Sequence, residues 1–186
     1  MQPKIIFAGP VGAGKTTAIA AVSDITVVST EARATDEVAR IKDSTTVAMD
    51  YGVLRLESGT EVHLYGTPGQ ERFRFMWEIL TLGGLGLVLL LDDSRPDPLA
   101  DLDLYVGAFR SFIDSTGQAL VVGVTRLTRR PGATLDRYRH RLDALGLCVP
   151  VFEVDGRARE DVRCLLMALM TLLDERVRRG APVRLQ

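Results

Sequence analysis

The chain has 186 residues, of which 46% are apolar and 25% are charged, so it can bury the core of one folded domain. Its 23 lysines and arginines nearly balance its 24 acidic residues, and the net charge of −1 excludes compositional disorder and a uniformly basic nucleic-acid-binding protein. The two cysteines, Cys148 and Cys164, are too few for a disulfide framework. We therefore predict one domain over residues 1–186 of a cytoplasmic protein, with both cysteines in its core and no nucleic-acid partner.

Short apolar runs alternate along the chain with longer amphipathic runs, which is the pattern of a mainly parallel α/β sheet covered by helices on both faces. The polar connection 23–46 is longer than most loops, which favours a functional role for it. A tight turn joins residues 47–56 to 60–65, so we expect these strands to form one antiparallel edge pair of a six-stranded sheet. The predicted strands are 4–8, 47–56, 60–65, 85–91, 119–124 and 149–154. The predicted helices are 15–22, 73–82, 98–115, 135–145 and 160–178.

A glycine-rich segment at residues 9–16 carries the strongest chemical signal in the sequence. It reads G-P-V-G-A-G-K-T, which matches G-x-x-x-x-G-K-[ST] in full and lies between a predicted strand and a predicted helix. In this motif backbone amides surround a phosphate, the lysine contacts the β- and γ-phosphates, and the hydroxyl binds Mg²⁺. The segment predicts a nucleoside triphosphate site without naming the base. The predicted phosphate-binding residues are Gly9, Gly12, Ala13, Gly14, Lys15, Thr16 and Thr17.

Three further segments carry a resemblance to a known family. Residues 66–73 read G-T-P-G-Q-E-R-F and resemble the switch II segment of Ras-superfamily small GTPases. Residues 46–51, T-V-A-M-D-Y, resemble the switch I segment, and the apolar run ending at Asp92 resembles the fourth strand. Gly66, where most members have Asp, and the run T-T-V-A-M-D-Y-G are similar to the bacterial MglA-like and conservon types. The resemblance implies a small-GTPase-like P-loop fold.

The resemblance also implies roles for individual residues. GTP or GDP and Mg²⁺ would be the ligands, with Thr16 and Thr46 contacting the metal. The Gly69 amide would bind the γ-phosphate, and Gln70 would orient the attacking water, so that Gln70 and Lys15 are the catalytic residues. The resemblance further implies a monomer that binds a Roadblock/LC7-type regulator or activator.

Two departures from the family pattern concern the metal and the base. Gly66 has no carboxylate, so we expect the metal to rely on Thr16, Thr46, phosphate oxygens and water. The guanine-binding motif N/T-K-x-D reads T-R-L-T at residues 125–128. We expect Thr125 and Arg126 to contact the nucleotide, and Thr128, in place of the carboxylate, to weaken guanine preference.

A second segment expected near the base, and several arginines, each have two possible interpretations. The fifth nucleotide-binding segment is predicted at Asp155, Gly156 and Arg157, with Arg157 either stacked on the base or solvated. Four arginines lie in or near the switch segments: Arg33, Arg40, Arg72 and Arg74. One of them could act as an internal arginine finger, but solvent exposure is favoured for each.

Two other functions remain alternatives to a GTP-hydrolysing switch. The missing carboxylates at 66 and 128 allow a degenerate, nucleotide-bound interaction protein that does not cycle. Asp92 and Asp93 allow a P-loop kinase or ATPase, although Asp92 more simply caps its strand. The longest apolar stretch, 79–91, is shorter than the roughly 18 residues of a membrane span, so no integral membrane segment is expected. The arginines after residue 175 suit either solvation of a helix end or peripheral contact with an anionic membrane.

Overall fold

The computed structural model describes residues 2–29, 49–127, 132 and 134–178, with side chains described as far as residue 174. Within these residues seven strands form one sheet in the order β2-β3-β4-β1-β5-β6-β7. The strands are β1 Lys4–Ala8, β2 Val28–Ser29, β3 Asp50–Arg55, β4 Glu61–Gly66, β5 Gly86–Asp92, β6 Leu120–Thr125 and β7 Val151–Glu153. The helices are α1 Lys15–Val22, α2 Arg74–Thr81, α3 Pro98–Ala108, α4 Arg110–Ser115, α5 Asp136–Ala144 and α6 Arg159–Arg178, and a short 3₁₀ helix, Glu71–Phe73, precedes α2.

The predicted α/β class is confirmed, and the sheet differs from the prediction at one edge. Strands β4, β1, β5, β6 and β7 are parallel, while β3 is antiparallel to β4 as expected. The prediction of six strands with one antiparallel pair is wrong, because β2 adds a second antiparallel pair outside β3. This strand has two exposed residues, so it has no alternation from which the sequence could reveal it.

Two apolar layers cover the sheet. Alternate residues of each parallel strand point to opposite faces, so Ile6 and Leu89 lie in one layer while Ile5 and Val88 lie in the other. The first layer includes the inward faces of α2, α3, α4 and α5. The second includes those of α1 and α6. The apolar stripe predicted to face the core on α6 is confirmed, since Leu165 and Leu169 are fully buried.

Two local predictions need correction. The single helix expected over 98–115 is two helices, because the backbone at Phe109 leaves helical geometry with φ −98° and ψ 10° while its ring stays in the core. Cys148 and Cys164 are exposed, not core residues, since each lies on the outward side of its segment. None of the helices described in the structure is both long enough and apolar enough to cross a membrane.

The parallel strands place their carboxyl ends at one edge of the sheet. At this edge β1 leads into the glycine-rich loop, β4 into residues 67–70, and β6 into Arg126. Loops at the carboxyl ends of such sheets form the ligand-binding crevice of open α/β folds. The topology therefore brings together segments that are far apart in sequence.

Candidate nucleotide-binding site

The glycine-rich loop has the backbone geometry that a phosphate cradle requires. Gly9 has φ +139°, and a Cβ at this position would lie 2.0 Å from the Leu90 carbonyl oxygen, so only glycine fits. Gly12 and Gly14 also have positive φ. Helix α1 begins directly after Gly14, so its first amide groups and its positive dipole end face the loop.

A pocket of about 350 Å³ lies over this loop, within the size range of small-molecule sites. It combines the glycine-rich loop, the end of α1, the start of β3, the segment after β4 and one residue after β6. The lining residues are Val11, Gly12, Gly14, Lys15, Thr16, Thr17, Asp50, Thr67, Pro68, Gly69 and Arg126. Of the predicted phosphate-binding residues, Gly9 and Ala13 lie beneath this lining, and Ala13 is fully buried.

Lys15 is part of the pocket and is only 8% exposed. Its Nζ donates hydrogen bonds to the Gly9 carbonyl at 2.7 Å and to the Pro10 carbonyl at 2.9 Å. The lysine thus cross-links two carbonyls of the loop, and its positive charge lies at the pocket. A buried ammonium with a polar pocket beside it is suited to bind an anion.

The carboxylate missing at position 66 is supplied from the neighbouring strand. Asp50 is paired with Gly66 across the antiparallel β3–β4 ladder. The Thr16 hydroxyl donates a hydrogen bond to Asp50 Oδ2 at 2.6 Å. A Cβ at Gly66 would lie 3.0 Å from both Asp50 Cβ and Asp50 Oδ2, so the Asp50 side chain fills the space that a side chain at 66 would take. Position 66 itself provides no carboxylate for Thr16, and Asp50 reaches Thr16 through the β3–β4 register, which the local sequence does not reveal.

The oxygen atoms around Thr16 fit a magnesium ion. Hydroxyl and carboxylate oxygens are the ligand types that Mg²⁺ prefers, and Asp50 is 8% exposed. Thr67 lines the same pocket and is 2% exposed, and its Oγ1 has no hydrogen-bond partner within the described part of the chain. A buried hydroxyl without a partner is costly, and a water of a hydrated magnesium ion would satisfy it. Thr46, the other predicted metal ligand, lies outside the described residues.

The two predicted γ-phosphate residues after β4 occupy different environments. Gly69 lies against the glycine-rich loop, where a Cβ would be 2.6 Å from the Val11 nitrogen and 2.9 Å from Lys15 Nζ. Gln70 follows it directly, but its side chain is exposed and does not line the pocket. The geometry therefore places the Gly69 backbone, and not the Gln70 amide, beside the phosphate cradle.

The segment after β6 braces the other side of the loop. The Thr125 hydroxyl donates to the Leu91 carbonyl at 3.1 Å and lies 3.4 Å from the Ala13 carbonyl. Arg126 has φ +57° and donates to the Gly12 carbonyl at 3.0 Å. Both residues therefore hold the backbone of the phosphate loop, and Arg126 also lines the pocket. Thr128 lies outside the described residues.

The Asp92 carboxylate is engaged by other groups and not by Thr16. Its carboxylate accepts hydrogen bonds from the Ser94 amide at 3.0 Å and the Ser94 hydroxyl at 2.6 Å, and it also contacts the Arg126 guanidinium. Asp93 is fully buried against Arg137 and Tyr138, which attach α5 to the end of β5. The carboxylate beside Thr16 thus belongs to Asp50, and Asp92 ends its strand as a cap.

The loop predicted to contact the base lies beside α1. A Cβ at Gly156 would be 3.4 Å from the Gly14 carbonyl, so this loop packs on the end of the phosphate cradle. The Arg157 guanidinium donates to both carboxylate oxygens of Asp155, and this hydrogen bonding lowers the pKa of Asp155 to about 2. Asp155 therefore stays charged near neutral pH, and Arg157 is solvated and paired within its own loop.

The candidate arginine fingers do not enter the pocket among the described residues. The guanidinium of Arg72 lies 4.7 Å from the centre of the Phe73 ring, and both Arg72 and Arg74 are exposed. Arg33 and Arg40 lie outside the described residues, as do the side chains of the arginines after 175. The described arginine nearest the phosphate loop is Arg126, which binds a loop carbonyl.

The parallel sheet, the phosphate loop and the pocket define a P-loop fold of the small-GTPase type. No protein-family model matches the chain. Over 135 residues, or 71% of its length, the chain is 23% identical to the Ras-related protein SEC4 of Candida albicans, and the match covers 64% of that protein. Over 50 residues, or 27% of its length, it is 42% identical to an uncharacterized protein of Methanocaldococcus jannaschii, and the match covers 32% of that protein. The chain thus spans less than two thirds of either relative and is distantly similar to Ras-related small GTPases.

Proposed function

We propose that this chain is a molecular switch that binds GTP with Mg²⁺, hydrolyses it slowly, and signals through segments that contact the third phosphate. The observation that carries the proposal is the convergence of Lys15, the Thr16–Asp50 pair and Gly69 on one pocket. Distant similarity to a Ras-related protein supports guanine nucleotide as the ligand. The run T-T-V-A-M-D-Y-G and Gly66 support a bacterial MglA-like or conservon type.

Each pocket residue has a defined task in this proposal. Bound magnesium would neutralise charge on the β- and γ-phosphates. Thr16 and Thr46 would hold the metal. Asp50 would accept a hydrogen bond from the Thr16 hydroxyl and so aim the Thr16 lone pairs at the metal. Lys15 would bind phosphate oxygens. The Gly69 amide would contact the γ-phosphate, which GDP lacks.

The position of Gln70 favours a second candidate function. Its side chain is exposed and outside the pocket lining, so a water-orienting role needs the loop to move or a partner to press it inward. A nucleotide-bound interaction protein that never hydrolyses its ligand needs neither. The two candidates share the binding site and differ in turnover.

The partner in this proposal is a Roadblock/LC7-type protein that docks beside the switch segments. Helix α2 and the residue that follows it present three large apolar side chains to solvent, Phe75, Ile79 and Leu82, each more than half exposed. An apolar stripe of this kind, next to the segment that contacts the γ-phosphate, supports a protein partner whose affinity depends on the nucleotide.

The substitution Gln70→Leu tests turnover. We expect it to slow GTP hydrolysis at least about tenfold without changing GTP affinity, since it removes the group that orients water and leaves the phosphate cradle intact. Single-turnover rates with and without partner measure the effect. Gln2→Leu, at an exposed position outside the pocket, is the matched control. Unchanged hydrolysis in Gln70→Leu would remove this residue from the mechanism, and an unmeasurable parent rate would favour the non-cycling candidate.

A further inference from the structure

Two buried aromatic side chains hold the backbone of Pro68 and Gly69 from inside the core. The indole Nε1 of Trp77, on α2, donates a hydrogen bond to the Pro68 carbonyl at 2.8 Å. The hydroxyl of Tyr105, on α3, donates to the Gly69 carbonyl at 3.0 Å. Buried Trp and Tyr residues usually find a polar partner. Here both partners are carbonyls of the same two-residue segment, which lines the phosphate pocket.

The Trp77 hydrogen bond fixes the direction of the Gly69 amide, and the Tyr105 hydrogen bond holds the next peptide unit, between Gly69 and Gln70. The described peptide bonds are trans, so the carbonyl of Pro68 and the N–H of Gly69 point in opposite directions from one planar unit. The Pro68 carbonyl points to Trp77 in the core. The Gly69 N–H therefore points away from Trp77. Gly69 itself lies against the glycine-rich loop, next to Val11 and Lys15.

The two donors are themselves held rigidly. Trp77 and Tyr105 are each 1% exposed, and their rings stack at a centroid distance of 4.8 Å. Trp77 also stacks on Phe109 at 5.5 Å, with an interplanar angle of 16°. This aromatic stack, formed by Trp77, Tyr105 and Phe109, joins α2 to α3 and the residue that follows it. A close-packed stack has few alternative rotamers, so the positions of its two donors are well defined.

We propose that Trp77 and Tyr105 are positioning residues that hold the Gly69 amide toward the third phosphate. Through them, the presence of the third phosphate affects the environment of the aromatic stack. The inference rests on the proposed function, in which the Gly69 amide distinguishes a triphosphate from a diphosphate. Without the Trp77 donor the Pro68–Gly69 peptide can rotate, and without the Tyr105 donor the Gly69–Gln70 peptide can rotate. Either change releases the Gly69 backbone from the orientation that the γ-phosphate needs.

The chemistry of Tyr105 suits this role. Burial raises the pKa of its hydroxyl well above the usual range for tyrosine, with the nearby carboxylates Asp101 and Glu71 adding to the effect. The hydroxyl therefore keeps its proton throughout the physiological range and remains a donor to the Gly69 carbonyl. The indole N–H of Trp77 is a donor at every accessible pH.

The variants Tyr105→Phe and Trp77→Phe remove the donors while keeping an aromatic ring in the stack. The measurement is the dissociation constant for GDP and for a non-hydrolysable GTP analogue, both with Mg²⁺, by competition against a fluorescent nucleotide. We expect each variant to lose about three- to tenfold in affinity for the analogue and less than about twofold for GDP. Tyr138→Phe is the matched control, because it removes another buried tyrosyl hydrogen bond, to Asp93, away from residues 68 and 69.

The nucleotide comparison separates positioning from simple stabilisation. A structural role would lower affinity for GDP and analogue together, and that outcome overturns the inference, as does an unchanged ratio in both variants. A parent chain that binds the two nucleotides equally overturns the proposed reading of the γ-phosphate and this inference with it. If the parent binds GDP and the analogue with different affinities and the variants keep the same ratio, the inference is overturned while the proposed function stands.

The sequence contains one tryptophan, so its fluorescence gives a second readout. We expect the emission of Trp77 to differ between the GDP and analogue complexes of the parent, because its N–H bonds the segment that contacts the γ-phosphate. In Tyr105→Phe this difference should shrink by at least about half. An emission difference of full size in that variant contradicts the coupling, even if the Trp77→Phe protein is too unstable to measure.

Discussion

At the scale of single residues, Asp50 and Gly66 act as one unit across β3 and β4. The carboxylate of Asp50 occupies the space above Gly66 and accepts a hydrogen bond from the Thr16 hydroxyl. The two identities depend on each other, since a side chain at 66 needs the room that Asp50 takes. Asp50 is therefore a candidate site residue that the chemistry of position 66 alone does not suggest.

The substitution Asp50→Ala tests this unit. We expect it to weaken Mg²⁺-dependent GTP affinity by about ten- to a hundredfold, because a hydrogen bond to a charged group contributes about 1.5–3 kcal/mol. Calorimetric titration with and without Mg²⁺ measures the change. Asp114→Ala, at an exposed ion pair on α4, is the matched control and should leave affinity unchanged.

The reverse exchange adds a stricter test of the same unit. Gly66→Asp alone should destabilise the protein, since two carboxylates would share one small space. The double variant Asp50→Ala with Gly66→Asp should recover most of the affinity that Asp50→Ala loses, because the carboxylate returns to the same place from the other strand. Additive losses in the double variant would show that the two positions act independently.

Base selectivity is also decided by single residues. Thr125 and Arg126 brace the phosphate loop, but neither offers the carboxylate that reads guanine N1 and N2. Thr128→Asp should therefore raise the affinity for GTP relative to ATP by at least about tenfold, which corresponds to about 1.4 kcal/mol. Titration of both nucleotides into parent and variant measures this. A parent that already prefers GTP by about a thousandfold, or a variant that gains nothing, contradicts the assignment of this motif.

The residues of the site differ in how far the sequence could reveal them. The phosphate loop is contiguous, so its motif predicts Lys15 and Thr16 in their observed places. Asp50 could not be assigned to Thr16, because that contact depends on the register in which Asp50 pairs with Gly66. The donors Trp77 and Tyr105 come from two helices, and their shared target follows only from tertiary packing.

At the scale of elements, the segment between β4 and α2 is held between two rigid surfaces. The glycine-rich loop lies on one side, close enough to exclude a side chain at Gly69. The aromatic stack lies on the other, and it binds the carbonyls of residues 68 and 69. This short segment therefore contacts both surfaces at once.

Gly69→Ala tests the close approach. The added methyl group would meet loop backbone atoms at 2.6 and 2.8 Å, so the segment must move away from the pocket. We expect GTP-analogue affinity to fall at least about tenfold while GDP affinity changes much less, as measured by nucleotide competition. Gly107→Ala on α3 is the matched control, because a Cβ there meets nothing within 4 Å and alanine favours the helix. If Gly69→Ala bound both nucleotides as tightly as the parent does, the close contact would be contradicted.

Element boundaries were predictable where turn residues mark them and failed where the local sequence carries no such signal. Strand β1 and helix α1 match their predicted ranges, because the glycine-rich loop between them marks the end of the strand and the start of the helix. The two-residue strand β2 has no periodic signal. The division between α3 and α4 depends on Phe109, whose ring stacks on Trp77 in the core, and this contact between distant elements is invisible to local pattern.

At the scale of the whole molecule, the sheet acts as a fixed platform and the loops at one edge carry the chemistry. Two buried apolar layers hold the central strands, so nucleotide binding has little effect on them. The segment that we propose to contact the γ-phosphate instead lies between the end of β4 and helix α2, with an exposed apolar stripe beside it. The account therefore predicts a local structural response to the third phosphate, next to a surface suited to a partner.

Hydrogen–deuterium exchange with mass spectrometry tests this central claim most directly. The parent chain is compared in complex with GDP and with a non-hydrolysable GTP analogue, both with Mg²⁺. The account predicts slower exchange in peptides covering residues 66–77 in the analogue complex, with no change in peptides from the first half of α6. Equal exchange in residues 66–77 in the two complexes would contradict the claim that this chain is a switch that responds to the third phosphate.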